Sequence, residues 1–160
     1  MTIAFNADEI LQMAEQIERN GVKFYSLVAE RLKQYRDIFA QLARQEEAHL
    51  DVFTGMRQNL SAAEREATSY DPGQENSLYL QAMADRDVFK LDQDPQKLLP
   101  SSVTLAGVID IAIGKEKDSI VFYVGMKELV SDKLGRGKIN SIISEEFKHI
   151  AVLRGIAIKN

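Results

Sequence analysis

The chain contains two histidines, His49 and His149, and each follows a glutamate by three residues. On an α-helix this spacing puts the side chains of Glu46 and His49, and of Glu146 and His149, on one face and one turn apart. Both members of a pair can then reach the same metal ion. Carboxylate and imidazole groups are ligands that iron, manganese and zinc accept. The two pairs therefore predict metal ligation.

The residues around each pair indicate that it lies in a protein core. Helical spacing continues the same face on both sides of each pair, and the neighbours on that face are apolar. A charged group is costly to bury unless it is paired or binds a metal. We therefore expect two polar pairs inside an otherwise apolar interior. The apolar neighbours are Leu42, Phe53 and Met56 for the first pair, and Ile139, Ile142, Leu153 and Ile156 for the second.

An internal repeat adds two more carboxylates. Residues 14–25 match residues 112–123 at an offset of 98, and EEAH at 46–49 matches EFKH at 146–149 at an offset of 100. Glu18 and Glu116 occupy equivalent positions, and each precedes a tyrosine by seven residues. Two helical turns bring Tyr25 and Tyr123 to the glutamate's side of the same helix, so we consider them candidate catalytic residues that donate hydrogen bonds to the ligands. Four carboxylates and two divalent ions would form a neutral site.

Four long helices would position these residues. The first is predicted from Asn6, as N-cap, to about Lys33, and the second from Asp37 to Gln58. The third covers residues 103–130, and the fourth begins after Ser131 as N-cap and continues nearly to the end of the chain. The first helix shows a regular apolar stripe, which consists of Ile10, Ala14, Ile17, Gly21, Phe24 and Val28.

The connections predict the topology. Short links join the first helix to the second and the third to the fourth, whereas residues 61–102 separate the two pairs and contain all three prolines. Within that segment we predict a short helix around Leu78–Phe89. One long crossover is typical of ferritin-like bundles. The predicted fold is therefore all-α, a ferritin-like four-helix bundle of two helical hairpins, forming a single domain over residues 1–160.

Composition excludes several other classes of function. The chain has no cysteine, which excludes disulfides, thiolate catalysis and iron–sulfur clusters within it. A net charge of −4 without a basic block argues against nucleic acid as a partner. The N-terminus lacks the pattern of a signal peptide, and the longest apolar stretch, residues 105–113, is too short to span a bilayer. We expect a soluble, cytoplasmic protein.

The ordered pattern of Glu18, Glu46-x-x-His49, Glu116 and Glu146-x-x-His149 resembles the ferritin-like di-iron proteins of the rubrerythrin type. The resemblance covers about residues 7–158. It implies a non-haem di-iron centre, with Glu18 and Glu116 as terminal ligands, Glu46 and Glu146 as bridging ligands, and one histidine on each iron. Manganese or zinc would also suit these ligands.

The sequence departs from rubrerythrin in two respects. No cysteines for a rubredoxin domain are present, so we expect a separate electron donor such as a rubredoxin. Rubrerythrin also carries an additional glutamate one turn after the third-helix ligand, where this chain has Ser119. This difference argues against an exchange of carboxylate for histidine during redox cycling, and the six remaining ligands also resemble the symmetric centre of a bacterioferritin.

These observations favour an oxidoreductase that reduces hydrogen peroxide or dioxygen. Two alternatives remain at this stage. One is an iron-binding or storage protein with at most ferroxidase activity, and the other is a bundle that binds metal mainly for stability. Because rubrerythrin-type bundles commonly pair, the resemblance also implies a homodimer.

Overall fold

A computed structural model describes residues 5–66, 72–84, 99 and 101–159, apart from the side chains of Gln81 and Ala84. Its four long helices are α1 (Ala7–Arg31), α2 (Arg36–Gln58), α5 (Leu105–Leu129) and α6 (Arg136–Lys159). The described part of the intervening segment contains two shorter helices, α3 (Ala62–Glu66) and α4 (Glu75–Ala84). Helix α1 packs along α2, and α5 packs along α6, so the bundle consists of two helical hairpins. The predicted all-α architecture is confirmed.

The start of α1 is fixed by a capping box. The Asn6 side chain accepts a hydrogen bond of 2.8 Å from the backbone N–H of Glu9, and the Glu9 carboxylate accepts one of 3.0 Å from the N–H of Asn6. Two of the N–H groups that a helix start leaves unpaired are thereby satisfied. Asn6 was the predicted N-cap, and this prediction is confirmed.

The start of the last helix differs from the prediction. Ser131 caps a single 3₁₀ turn, Asp132–Leu134, and α6 begins only at Arg136. Gly135 lies between them with φ +108°, in the left-handed region that a side chain disfavours. This glycine ends the 3₁₀ turn and redirects the chain into α6. A 3₁₀ turn, Lys33–Tyr35, likewise joins α1 to α2.

Two apolar clusters fill the interior, one on each side of the bundle's midpoint. The predicted stripe of α1 supplies both, and its members are buried except for Gly21, which is half-buried. Burial of such side chains is the main stabilising contribution to a bundle of this kind. One cluster includes Ile10, Ile17, Phe53, Met56, Phe122, Met126 and Ile139, and the other Phe24, Val28, Phe39, Leu42, Val108, Ile109 and Leu153.

The crossover segment packs on α5 through α4. Tyr79 donates a hydrogen bond to the backbone carbonyl of Val121, and its ring lies so close to Gly125 that a Cβ atom there would overlap it. Helix α4 begins at Glu75, three residues before the predicted start, and its described part ends at Ala84. The rest of the predicted helix, residues 85–89, lies outside the described residues.

Membrane insertion finds no support in the described part of the chain. None of the helices there combines the length and the apolar character that crossing a bilayer requires.

Candidate metal centre

All six predicted ligands meet inside the bundle. Helix α1 contributes Glu18 and α5 contributes Glu116, while α2 and α6 each contribute a Glu-x-x-His pair. Every one of the six is buried, with at most 4% of its surface exposed. Because backbone N–H and C=O groups inside a helix pair with each other, the six residues contact one another through their side chains. The six candidate ligands are Glu18, Glu46, His49, Glu116, Glu146 and His149.

The six side chains form two overlapping groups. The first contains Glu18 and His49, and the second contains Glu116 and His149. Both groups also include Glu46 and Glu146. Within each group, one ligand atom per residue lies within 4.8 Å of all the others. Two adjacent ions could therefore be held, each with one histidine and one carboxylate of its own, with two carboxylates between them.

Distances show that the two groups are nearly equivalent. His49 Nδ1 lies 3.6 Å from Glu18 and 3.0 Å from Glu146. His149 Nδ1 lies 3.6 Å from Glu116 and 3.0 Å from Glu46, and it also lies 2.8 Å from Glu146 on its own helix. The two imidazole rings stack with their centroids 5.6 Å apart. The sequence repeat thus becomes an approximate two-fold symmetry of the site.

The ligand atoms are close together but poorly satisfied. Both Nδ1 atoms, both oxygens of Glu146, and one oxygen each of Glu18 and Glu46 are buried without a hydrogen-bond partner. The short Nδ1–oxygen approaches lack hydrogen-bond geometry, so they do not satisfy these atoms. Unsatisfied buried polar atoms are rare and costly in native proteins. Two metal ions would satisfy them all, so the donor set fits a two-metal centre.

Electrostatics of the metal-free site agree with this interpretation. Burial, reinforced by the neighbouring Glu146 charge, raises the pKa of Glu46 to about 7. Burial and the Glu146 carboxylate raise the pKa of Glu116 to about 8. The pKa of Glu18 is also raised, by burial and by Glu46. Three of the four carboxyl groups therefore tend to hold protons when no metal is present.

The fourth carboxylate behaves differently because both imidazoles contact it. Burial opposes its charge, but His149 and His49 outweigh that effect and lower the pKa of Glu146. The same contacts raise the pKa of His49 to about 11 and that of His149 to about 12, although burial alone would lower both. A metal ion would have to displace protons from these groups as it binds.

Each tyrosine donates a hydrogen bond to a glutamate of another helix, whereas the sequence predicted a glutamate of its own helix. Tyr25 of α1 donates a hydrogen bond to Glu116 of α5, and Tyr123 of α5 donates one to Glu18 of α1. The expected hydrogen bonds exist, but each tyrosine reaches across the bundle instead of along its own helix. Both hydroxyl groups are buried, and burial together with the adjacent carboxylates raises the pKa of both tyrosines.

Two carboxylates without an equivalent carboxylate in the repeat also make specific contacts. Glu145 Oε2 lies 2.8 Å from His49 Nε2, the ring nitrogen that faces away from the other ligands. Glu15 is buried and pairs with Arg19 at 3.0 Å and Arg57 at 3.2 Å. The i,i+4 spacing of Glu15 and Arg19 was a usable signal for the second contact. The contact between Glu145 and His49 joins two helices, so local sequence spacing does not predict it.

A small cavity adjoins the site between α1 and α5. Its volume is about 20 Å³, and Glu46, Glu116 and Tyr25 form its inner wall. Gly21 and Ser119 line it at positions equivalent in the repeat, where a Cβ atom on Gly21 would overlap the Glu46 carboxylate. Half-buried Asn20 and Lys115 also line it. Such a volume accommodates about one water molecule.

Comparison with known proteins agrees with the geometry. The rubrerythrin family model matches residues 9–157. The chain belongs to the rubrerythrin family. Its fold is also similar to the crystal structure of a Thermotoga maritima protein described as a ferritin-like diiron-carboxylate protein, with a TM-score of 0.68 and 25% identity, covering 96% of this chain and 95% of that one. A search of curated proteins gave no significant match. This member of the rubrerythrin family is a ferritin-like protein with a buried carboxylate–histidine candidate metal site.

Proposed function

We propose that this rubrerythrin binds two iron ions and reduces hydrogen peroxide or dioxygen, with electrons from a separate donor such as a rubredoxin. Glu18 and His49 would bind one ion, Glu116 and His149 the other, and Glu46 and Glu146 would bridge them. The observation that carries the proposal is the set of unsatisfied ligand atoms converging in two overlapping groups. Manganese or zinc would suit the same ligands, and metal availability often decides between such ions.

The size of the adjoining cavity favours a small oxidant as the substrate. Since it holds about one water-sized group and touches Glu46 and Glu116, only a molecule of a few atoms could approach the ligands by this path. Reducing one peroxide to two waters takes two electrons and two protons. A pair of ferrous ions would supply the two electrons, one from each ion. An external donor would then restore the ferrous state.

The protein's own groups would keep the site ordered through this cycle. Tyr25 and Tyr123 hold Glu116 and Glu18 by hydrogen bonds from opposite helices, which limits rotation of these two carboxylates. Ser119 donates its hydroxyl proton to the Lys115 carbonyl at 3.0 Å and stays on its own helix. A side chain committed in this way does not replace the carboxylate that rubrerythrin carries here. We therefore expect the ligand set to stay the same when the iron is oxidised.

The test is a rate comparison on the protein loaded anaerobically with ferrous iron. We expect peroxide to oxidise the bound iron much faster than air-saturated buffer does, and the iron content to remain at two ions per chain. Exposed Glu47, next to a proposed ligand but outside the site, provides a matched control through Glu47→Gln. Iron uptake far beyond two ions per chain, without a preference for peroxide, would instead indicate storage with ferroxidase activity.

A further inference from the structure

The approximate symmetry of the site breaks at the outer nitrogens of the histidines. His49 Nε2 contacts the carboxylate of Glu145, whose side chain is 45% exposed. His149 Nε2 is buried and has no hydrogen-bond partner among the described residues. The cause lies in the repeat: at the offset of 100, Glu145 on α6 corresponds to Gln45 on α2. Of the two histidines, His49 therefore has a carboxylate at its outer nitrogen.

This contact determines which nitrogen of His49 can bind a metal. In the neutral ring, Nε2–H donates to Glu145, so Nδ1 keeps its lone pair on the side of Glu18 and Glu146. A carboxylate that accepts a hydrogen bond from a metal-ligating histidine fixes the tautomer and orientation of the ring. It also makes the other ring nitrogen a stronger metal ligand. His149 lacks this support, and a buried N–H without a partner carries a desolvation cost.

We propose that Glu145 is a positioning residue that orients His49 and makes the two metal positions unequal. The position formed by Glu18 and His49 then binds its divalent ion more tightly than the position formed by Glu116 and His149. The inference rests on the proposed function only in requiring that the site binds metal. It does not depend on which oxidant, if any, the loaded protein reduces.

Cobalt(II) titration of the metal-free protein under anaerobic conditions measures both affinities, because the visible spectrum of cobalt reports its ligands. We expect two binding steps that differ by about 10–100-fold, the usual effect of such a supporting carboxylate. His49→Ala should abolish the tighter step and His149→Ala the weaker one. Two equal steps in the unmodified protein, or the opposite assignment, would overturn the inference.

Exchanging the two repeat-equivalent residues isolates the contribution of Glu145. Glu145→Gln gives both helices a glutamine at this repeat position, and the tighter step should weaken by about 10–100-fold until the two steps nearly coincide. Gln45→Glu should tighten the weaker step. The control Glu47→Gln removes a nearby exposed carboxylate and should leave both steps unchanged. Unchanged affinities in Glu145→Gln would contradict the proposal, and so would an equal change in Glu47→Gln.

Two further measurements keep the outcomes distinct. Circular dichroism of each metal-free variant verifies the fold, and if Glu145→Gln does not fold, an unaltered weaker step in Gln45→Glu overturns the inference on its own. A protein that binds no cobalt contradicts both the metal centre and this inference. Two unequal cobalt steps together with no oxidant reduction by the iron form contradict only the proposed function.

Discussion

Replacing Glu116 by Gln is expected to remove part of the pH dependence of the metal-free protein's stability. Burial and the Glu146 carboxylate raise the pKa of Glu116 from its ordinary value of 4.5 to about 8. The folded protein therefore holds a proton that the unfolded chain releases. Its contribution to stability is fully present below pH 4.5 and is lost as the pH rises through about 8.

The expected magnitude follows from linkage. One proton of difference between the folded and unfolded states changes the free energy of unfolding by about 1.4 kcal/mol per pH unit. Between pH 5 and pH 7, Glu116 alone should therefore lower the stability of the metal-free protein by about 3 kcal/mol. Gln is neutral throughout, so Glu116→Gln should lose about 3 kcal/mol less over the same interval. Glu18 and Glu46, whose pKa values are also raised, act in the same direction in both proteins.

Chemical unfolding followed by circular dichroism, at pH 5, 6 and 7 in the presence of a chelator, measures this difference. The exposed carboxylate of Glu47 provides the control, because Glu47→Gln should leave the slope of stability against pH unchanged. Parallel curves for the unmodified protein and Glu116→Gln would refute the reasoning. They would mean that Glu116 is ionised in the folded metal-free protein over this range, contrary to its burial.

Three further predictions concern the Tyr25 hydrogen bond, the packing of Gly21 against Glu46, and the oligomeric state. Tyr25→Phe leaves an oxygen of Glu116 without its donor and should cost the metal-free protein about 1–3 kcal/mol, measured by denaturant unfolding. Gly21→Ala should displace the Glu46 carboxylate and weaken cobalt binding. The control Gly55→Ala, where a Cβ atom on α2 meets open space, should leave cobalt binding unchanged and raise the free energy of unfolding by about 0.5–1 kcal/mol. Sedimentation at micromolar concentration should show a homodimer, and a monomer would contradict this expectation.

The sequence was sufficient to predict the long helices and the meeting of the ligands, because both depend on local spacing. Asn6 and Glu9 form a cap within four consecutive residues, and Glu46 and His49 share a face because of the helical period. The 3₁₀ turn after Ser131 was missed because a serine cap is compatible with either kind of helix. The left-handed conformation of Gly135 decides between them, and sequence alone does not reveal it.

Local sequence spacing does not predict contacts between helices. Tyr25 lies two helical turns after Glu18, but its hydroxyl donates a hydrogen bond to Glu116 of the neighbouring helix α5. Glu145 has no carboxylate counterpart in the repeat, and only the packing of α6 against α2 brings it to His49. Such contacts depend on crossing geometry, which several side chains set together.

Metal analysis of the protein reconstituted anaerobically with ferrous iron tests the central claim most directly. The two overlapping ligand groups predict two iron ions per chain after removal of unbound metal. His149→Ala should retain about one ion, and so should His49→Ala, because each of the two ligand groups contains one histidine. One ion or none in the unmodified protein would contradict a two-metal centre.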